Sequence, residues 1–342
     1  MLKIQTATVG DIKNKPVSAL YLELTECEIS RIVALALHTR VVSYQLLNGG
    51  LFNTTYLLDT MDCGKVVLRA GPVNRHLLMP FEHHLMEAEA QVYALLGARG
   101  IPASEMLFMD NSKTVIDRDF MIVRYIPGTA MSQLELTPED KSRISRDVGE
   151  ATMKMHRIVA PRFGRVADVK NGSGYNKWSE CLLGELADWE QVGITSEIFS
   201  VEELGEIRNL FKAAAPYLDE IREPRLVHTD LWQGNILVRT DTPRPEFGAI
   251  IDADRAIWGD PMYEFSSIRW SYDEERFWEG YGMMLPQGKG DKIRCALYTL
   301  FNRMLNTYVY LKEYNNLNQS LAEREDAHRN MAFLREMLNM NL

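Results

Sequence analysis

Residues 226–238 read LVHTDLWQGNILV, which places polar side chains between two short apolar segments. The apolar segments 225–227 and 236–238 predict strands, so the polar residues between them form a loop. Asp230 and Asn235 lie five positions apart in that loop. A carboxylate can accept a proton, and carboxylate and amide oxygens are ligands that Mg²⁺ prefers. The stretch therefore predicts a chemically active loop between two strands.

A second stretch, residues 248–254, reads GAIIDAD and predicts a strand that ends in the carboxylates of Asp252 and Asp254. Taken singly, neither stretch is specific, because D-x-D also occurs in glycosyltransferases and at turns. The specific signal is their combination, since Asp252 follows Asp230 by 22 positions in the same chain.

In this order the two stretches resemble the catalytic and metal-binding loops of the kinase fold, with H-x-D-x-x-x-x-N first and an aspartate at a strand end second. The second stretch has I-D-A-D where protein kinases have D-F-G. No A-P-E follows it, and no G-x-G-x-x-G lies near the N-terminus. The chain therefore departs from the protein kinases themselves.

The chain is similar to the aminoglycoside phosphotransferase and choline kinase branch, the small-molecule kinases. Their pattern is H-G-D-x-x-x-x-N-I-L followed by I-D-x-x-x-A-x-x-G-D-P, and this chain has HTD through NIL and then IDADRAIWGDP. The resemblance extends over residues 41–265. Thr229 stands where the family usually has glycine, a change expected to be tolerated if the backbone there does not need a positive φ.

This resemblance implies an α+β, protein-kinase-like, two-lobed fold with a small β-rich N-lobe and a larger, mainly helical C-lobe. The residue patterns agree with it. Residues 1–126 contain predicted strands at 41–47, 54–58, 65–70, 106–109 and 120–126 and a long helix at 81–98, and helices dominate the rest. We expect residues 1–126 to form the nucleotide-binding lobe and residues 127–342 the catalytic and substrate-binding lobe.

The resemblance also implies roles for individual residues. Asp230 would be the catalytic base, and Asn235 and Asp252 would hold Mg²⁺. Arg69 would grip the α- and β-phosphates of ATP or GTP, with Glu89 as its partner and Glu87 as the alternative. The loop over residues 48–56, including Asn53, would approach the phosphates, and the adenine edge would pair with the backbone near Arg124 and Ile126.

The implied reaction is transfer of the γ-phosphoryl group from ATP or GTP to a hydroxyl of a small molecule. An aminoglycoside is one candidate acceptor, because Asp254, Asp260 and Glu264 would give an acidic pocket. Choline-like, sugar and ketosamine acceptors stay open. The HxDLWxGN pattern also occurs in ketosamine kinases, although the segment after Asp252 is less like theirs.

The composition and charge of the chain limit which partners and locations we expect for it. The chain has 342 residues and a formal net charge of −9, which argues against nucleic acid as a partner. No stretch approaches the ~20 apolar residues of a membrane helix, no N-terminal signal peptide is evident, and the four cysteines lie far apart, so we expect a cytoplasmic protein. Two alternatives are a catalytically silent nucleotide-binding protein and a metal-dependent phosphohydrolase, which would need further His and Asp ligands.

Overall fold

The computed structural model describes residues 18–47, 50–267 and 272–340, and the side chain of Ser267 is outside that description. Two residues of the predicted phosphate loop, Asn48 and Gly49, therefore lie outside the described residues. Within this range the chain forms two compact units, which are described separately below.

The first unit comprises the described residues up to Leu78 together with Ser104–Ile126 and Val309–Leu317. The second comprises Met79–Ala103, Pro127–Tyr308 and the described residues from Asn318 onward. One of the boundaries between the units falls between Ile126 and Pro127. A single division at this point does not separate the two units, because residues 79–103 belong to the second unit and residues 309–317 to the first.

Helices and strands alternate unevenly along the chain. The helices are α1 (Glu26–Leu37), α2 (Leu85–Gly97), α3 (Pro138–His156), α4 (Val166–Lys170), α5 (Trp178–Ser196), α6 (Val201–Leu218), α7 (Met262–Ser267), α8 (Glu274–Tyr281), α9 (Lys289–Tyr308) and α10 (Leu317–Met337). The strands are β1 (Val41–Leu47), β2 (Thr54–Thr60), β3 (Gly64–Ala70), β4 (Met106–Asp110), β5 (Phe120–Arg124), β6 (Thr129–Ala130), β7 (Gly164–Arg165), β8 (Arg225–Val227), β9 (Ile236–Arg239), β10 (Glu246–Ile250) and β11 (Ile257–Gly259).

The first unit is built on an antiparallel sheet with the strand order β1-β2-β3-β5-β4. Strand β2 alternates buried and half-buried side chains, the period-2 pattern of a sheet with one face on a core. Helix α1 packs its apolar residues Ile29, Ile32 and Val33 in that core. Thr25 and Glu28 form a capping box at the start of α1, which satisfies backbone N–H groups that the first turn leaves unpaired.

The second unit holds two small antiparallel sheets, β10-β9-β6 and β7-β11-β8, and most of the helices. Its core joins the apolar face of α3 to the strands β8, β9 and β10. Because β8 and β9 enter this core through Leu226, Ile236 and Val238, the polar loop between them is anchored at both ends. Among the described residues, no helix combines the length and apolar character that crossing a membrane requires.

Two elements differ from those that the sequence pattern predicts. The long helix expected over residues 81–98 is a 3-10 helix at Pro80–His84 followed by α2, and the backbone changes direction at His84 (φ −122°, ψ 18°). The strand expected to include Asp252 stops at Ile250. Asp252 has φ 62°, in the left-handed region, which ends the extended backbone.

Helices α3 and α8 approach closely through two glycines. A Cβ atom at Gly149 would overlap the backbone carbonyl oxygen of Phe277 and lie 2.9 Å from the backbone nitrogen of Tyr281. A Cβ atom at Gly280 would overlap the carbonyl oxygen of Arg146. Because the clashing atoms belong to the backbone, a side chain at either position would push the helices apart.

We predict that Gly149→Ala lowers the free energy of unfolding by about 2 kcal/mol, the usual scale of overpacking. The matched control is Gly205→Ala in α6, where an added Cβ meets nothing within 4 Å. That substitution should stabilise the protein by roughly 0.5–1 kcal/mol through helix propensity. Urea unfolding of both variants checks this, and equal effects of the two would contradict the close approach.

Candidate active site

The loop between β8 and β9 positions Asp230 and Asn235 through hydrogen bonds. The side chain of Asn235 donates from Nδ2 to the Asp230 carbonyl oxygen at 2.8 Å and to Asp230 Oδ2 at 3.0 Å. Asn235 is buried and Asp230 is half-buried. The amide hydrogens therefore face Asp230, which turns the Asn235 oxygen away from that carboxylate.

The loop is joined to the segment after β10 by the imidazole of His228. The Asp230 N–H donates to His228 Nδ1 at 3.3 Å, so Nε2 carries the ring proton and donates to the Ile251 carbonyl oxygen at 3.0 Å. In addition, the Ile251 N–H donates to the Asn235 carbonyl oxygen at 3.0 Å. Asp252 follows directly, so the structure brings Asp230, Asn235 and Asp252 into one region, and the roles expected for them stay predictions.

The electrostatics of this region favour proton exchange near neutrality. Burial raises the pKa of Asp230 to about 6, and the Asp252 carboxylate acts in the same direction. His228, Arg255 and the hydrogen bond from Asn235 act in the opposite direction. A carboxylate whose pKa is raised in this way is a functional-site candidate, because it holds and releases a proton close to neutral pH.

Glu89, Asp252 and Asp254 form a carboxylate cluster, with one oxygen atom of each lying within 4.8 Å of the others. Glu89 lies on α2 and is fully buried. The sequence assigned Glu89 to Arg69 and Asp254 to the substrate, so their juxtaposition with Asp252 is new. Three carboxylates at this distance have the oxygen donors that hold a divalent cation.

Tyr93 is the residue that the sequence analysis missed. Its hydroxyl donates to Glu89 Oε1 and accepts a hydrogen bond of 3.2 Å from the Asp252 N–H. One phenol thus connects α2 to the backbone at Asp252. A signal was present, because Glu89 and Tyr93 are four positions apart and so share one face of a helix.

Two predicted substrate residues have partners inside the protein. Asp260 is buried, accepts hydrogen bonds from the Tyr298 hydroxyl at 2.7 Å and the Met262 N–H at 3.0 Å, and lies 3.3 Å from Arg294 Nε. Glu264 is fully buried and accepts from the His228 N–H at 2.7 Å. Both carboxylates are therefore buried and paired within the second unit, an arrangement that does not favour the acidic pocket expected from them.

The predicted nucleotide residues of the first unit lie on its sheet. Arg69 is half-buried on β3, opposite Thr55 and Met121 on the neighbouring strands, and Asn53 is buried just before β2. Arg124 ends β5 and its N–H donates to the Glu105 carbonyl oxygen at 2.8 Å. The partnership of Arg69 with Glu89 or Glu87 stays a prediction.

Residues 43–295 match the Phosphotransferase enzyme family, which is about three quarters of the chain. The chain belongs to this family. The match includes the Asp230 loop, the Asp252 segment and the α2 glutamates, and it makes the chain a small-molecule phosphotransferase, as the sequence predicts.

Relatives of known description agree with this membership. The chain is 22% identical over 277 residues to a protein of Vibrio parahaemolyticus named "Probable ketoamine kinase", covering 77% of this chain and 87% of the relative. A crystal structure of a "Putative fructosamine-3-kinase" from Haemophilus somnus has a TM-score of 0.63 at 15% identity, covering 88% of this chain and 96% of that one. The streptomycin–ATP ternary complex of APH(2″)-IIa has a TM-score of 0.60 at 16% identity, covering 93% and 99%. The predicted α+β, protein-kinase-like fold is confirmed.

We predict that Tyr93→Phe lowers the free energy of unfolding by about 1–3 kcal/mol, because it removes one acceptor from the Asp252 N–H and one donor from buried Glu89. The control is Tyr217→Phe, whose hydroxyl makes no hydrogen bond to any described residue. Denaturant unfolding of the two variants measures the difference. A loss for Tyr93→Phe no larger than the control's would mean that the hydroxyl does not hold Asp252 and Glu89 together.

Proposed function

We propose that this protein transfers the γ-phosphoryl group of ATP or GTP to a hydroxyl of a polyhydroxylated amine. The observation that carries the proposal is a set of hydrogen bonds: the His228 ring joins the Asp230 N–H to the Ile251 carbonyl oxygen, next to Asp252, and Asn235 donates to Asp230. These hydrogen bonds would hold the proposed proton acceptor and the two proposed oxygen ligands in one place before the substrates bind, and phosphoryl transfer depends mainly on positioning and electrostatics.

Asp230 would orient the acceptor hydroxyl and take its proton at Oδ1 or Oδ2. The hydrogen bond from Asn235 Nδ2 to Oδ2 supports this role, since it fixes the rotation of the carboxylate. With the pKa of Asp230 raised to about 6, the group is largely ionised at neutral pH and still accepts a proton readily. The protonated carboxyl would then return its proton to water.

The residues fit a magnesium ion. Asn235 directs its amide hydrogens at Asp230, which leaves the amide oxygen for a cation, and Asp252 supplies a carboxylate. Hard oxygen donors of this kind suit Mg²⁺ better than the soft-ligand metals. When bound, the ion neutralises charge on the phosphates. Asp254 and Glu89 add carboxylates within reach of Asp252.

The nucleotide contacts are proposed from the resemblance together with the strand positions. Arg69 would supply a fixed positive charge to the phosphates, and the backbone near Asn53 would approach them. For the adenine edge, Ile126 is favoured as the N–H donor, because the Arg124 N–H already donates to Glu105. The Arg124 carbonyl oxygen accepts from Ser104 Oγ at 2.8 Å and has a second lone pair.

The acceptor class is supported by chemistry that the relatives share. Ketoamines and aminoglycosides are both hydroxylated compounds that carry amines. Trp232, two positions after Asp230, exposes 42% of its surface, and an exposed indole offers a face to a sugar ring or a cation. With Asp260 and Glu264 occupied inside the protein, this aromatic face replaces the acidic pocket as the feature that favours such an acceptor.

We predict that Asp230→Asn lowers the turnover number by roughly 10²–10⁴, the usual contribution of a positioned general base, and leaves Mg²⁺-dependent nucleotide affinity nearly unchanged. Steady-state kinetics and calorimetric titration with a non-hydrolysable ATP analogue measure the two effects. Glu246→Gln, an exposed residue of β10, is the control and should change neither quantity. Loss of nucleotide binding in Asp230→Asn would assign this residue to the metal or to the fold instead.

An acceptor panel tests the substrate class. We expect consumption of ATP or GTP to rise with a fructosyl-amine or an aminoglycoside, and to stay at background with choline or with glucose, which lacks the amine. The product should carry a phosphate ester, detectable by ³¹P NMR. Release of inorganic phosphate without any acceptor would favour the phosphohydrolase alternative, and nucleotide binding without turnover of any compound would favour a silent nucleotide-binding protein.

A further inference from the structure

Thr229 lies in an unusual backbone conformation between two functional residues. Its φ is 70°, in the left-handed region, where a β-branched residue is an outlier. Thr229 stands where the family usually has glycine, a change expected to be tolerated if the backbone does not need a positive φ, and the observed angle does not meet that condition. Strained residues persist where the surrounding structure holds them, and they cluster at functional sites.

The Thr229 side chain has a specific partner. Its hydroxyl donates to the Arg255 carbonyl oxygen at 3.0 Å. The preceding residue, His228, donates to the Ile251 carbonyl oxygen at the same distance. Two adjacent residues of the catalytic loop therefore hold the segment 251–255 at its two ends, and Asp252 and Asp254 lie between these points.

Two further contacts hold Arg255, at the downstream end of the segment 251–255. Arg165 Nη1 also donates to the Arg255 carbonyl oxygen, at 2.9 Å, and the Arg255 guanidinium forms an ion pair of 2.8 Å with buried Glu82. A glycine at position 229 would permit the same backbone angle without strain but would bring no donor. Compared with glycine, the threonine has a strained backbone but makes a direct hydrogen bond to the segment 251–255.

We infer that Thr229 is a positioning residue whose hydroxyl sets Asp252 and Asp254 for a divalent cation. The inference rests on the proposed function, in which Asp252 holds the metal. Its effect is to limit the freedom of the segment 251–255 before the metal and nucleotide arrive, so that less ordering is needed on binding. The backbone angle alone does not supply this effect, since glycine adopts it too.

Three substitutions separate the hydroxyl from the backbone angle. Thr229→Ser keeps the donor, Thr229→Gly keeps the angle without the donor, and Thr229→Val keeps the shape without the donor. The matched control is Thr152→Val in α3, where a buried threonine hydroxyl donates to the Val148 carbonyl oxygen at 2.8 Å, away from the site. Asp252→Asn is included to test the metal site itself.

The readout is Mn²⁺ binding, followed by electron paramagnetic resonance in the presence of a non-hydrolysable ATP analogue, together with the melting temperature. We expect Thr229→Gly and Thr229→Val to weaken Mn²⁺ binding about 3- to 10-fold, the range of one hydrogen bond, and Thr229→Ser to bind as the wild type does. We also expect Thr229→Gly to melt no lower than the wild type, because glycine relieves the strain. In Thr229→Gly, Mn²⁺ binding should therefore weaken while the melting temperature does not fall.

Two results would overturn the inference in distinguishable ways. If Asp252→Asn weakened Mn²⁺ binding and Thr229→Gly bound it like the wild type, the metal site would stand and the positioning role of Thr229 would be wrong. If Asp252→Asn bound Mn²⁺ as tightly as the wild type, the proposed metal site would be wrong and the inference with it. Since Thr229→Gly carries no steric risk, a failure of Thr229→Val to fold leaves both results measurable.

Discussion

The hydrogen bonds of the His228 ring are the contact on which the rest of the site depends. The ring accepts from the backbone of Asp230 on one side and donates to the backbone of Ile251 on the other. Because both nitrogens are used, the ring has one tautomer and one orientation, and it sets the spacing between the loop that follows β8 and the segment 251–255. Glu264, fully buried, accepts from the His228 N–H and so orients the residue itself. A buried carboxylate with this partner gives the position a structural role.

Other residues around the site make hydrogen bonds to the backbone of the segment 251–255. Tyr93 accepts from the Asp252 N–H, and Arg165 donates to the Arg255 carbonyl oxygen. Backbone anchors suit a phosphotransferase, since the reaction requires oxygen ligands at fixed positions more than it requires reactive side chains. The left-handed angle of Asp252 belongs to the same arrangement, because it follows the end of strand β10 at Ile250 and stops the extended backbone there.

Local patterns in the sequence predicted the elements that depend on local chemistry. Strand β1 has the predicted bounds, and the loop that holds Asp230 and Asn235 lies beside the segment that holds Asp252. The juxtaposition of Glu89 with Asp254 could not be predicted, because it depends on how α2 packs within its unit. Burial of Asp260 likewise depends on Tyr298 and Arg294, which lie 38 and 34 positions downstream. Long-range packing of this kind leaves no periodicity for the sequence to show.

Each of the two units is built from several separate stretches of the chain, and this has a consequence for how the chain folds. The units are not continuous stretches, because the chain passes from one to the other after Leu78, Ala103, Ile126, Tyr308 and Leu317. A fragment that ends at Ile126 would lack residues 309–317, in which the Glu313 carbonyl oxygen accepts from the Ala19 N–H. The complementary fragment would lack α2 and with it the Tyr93 hydroxyl that holds Asp252. The two halves of the polypeptide must therefore be present together for either unit to be complete, and separately expressed halves would assemble only by complementing each other.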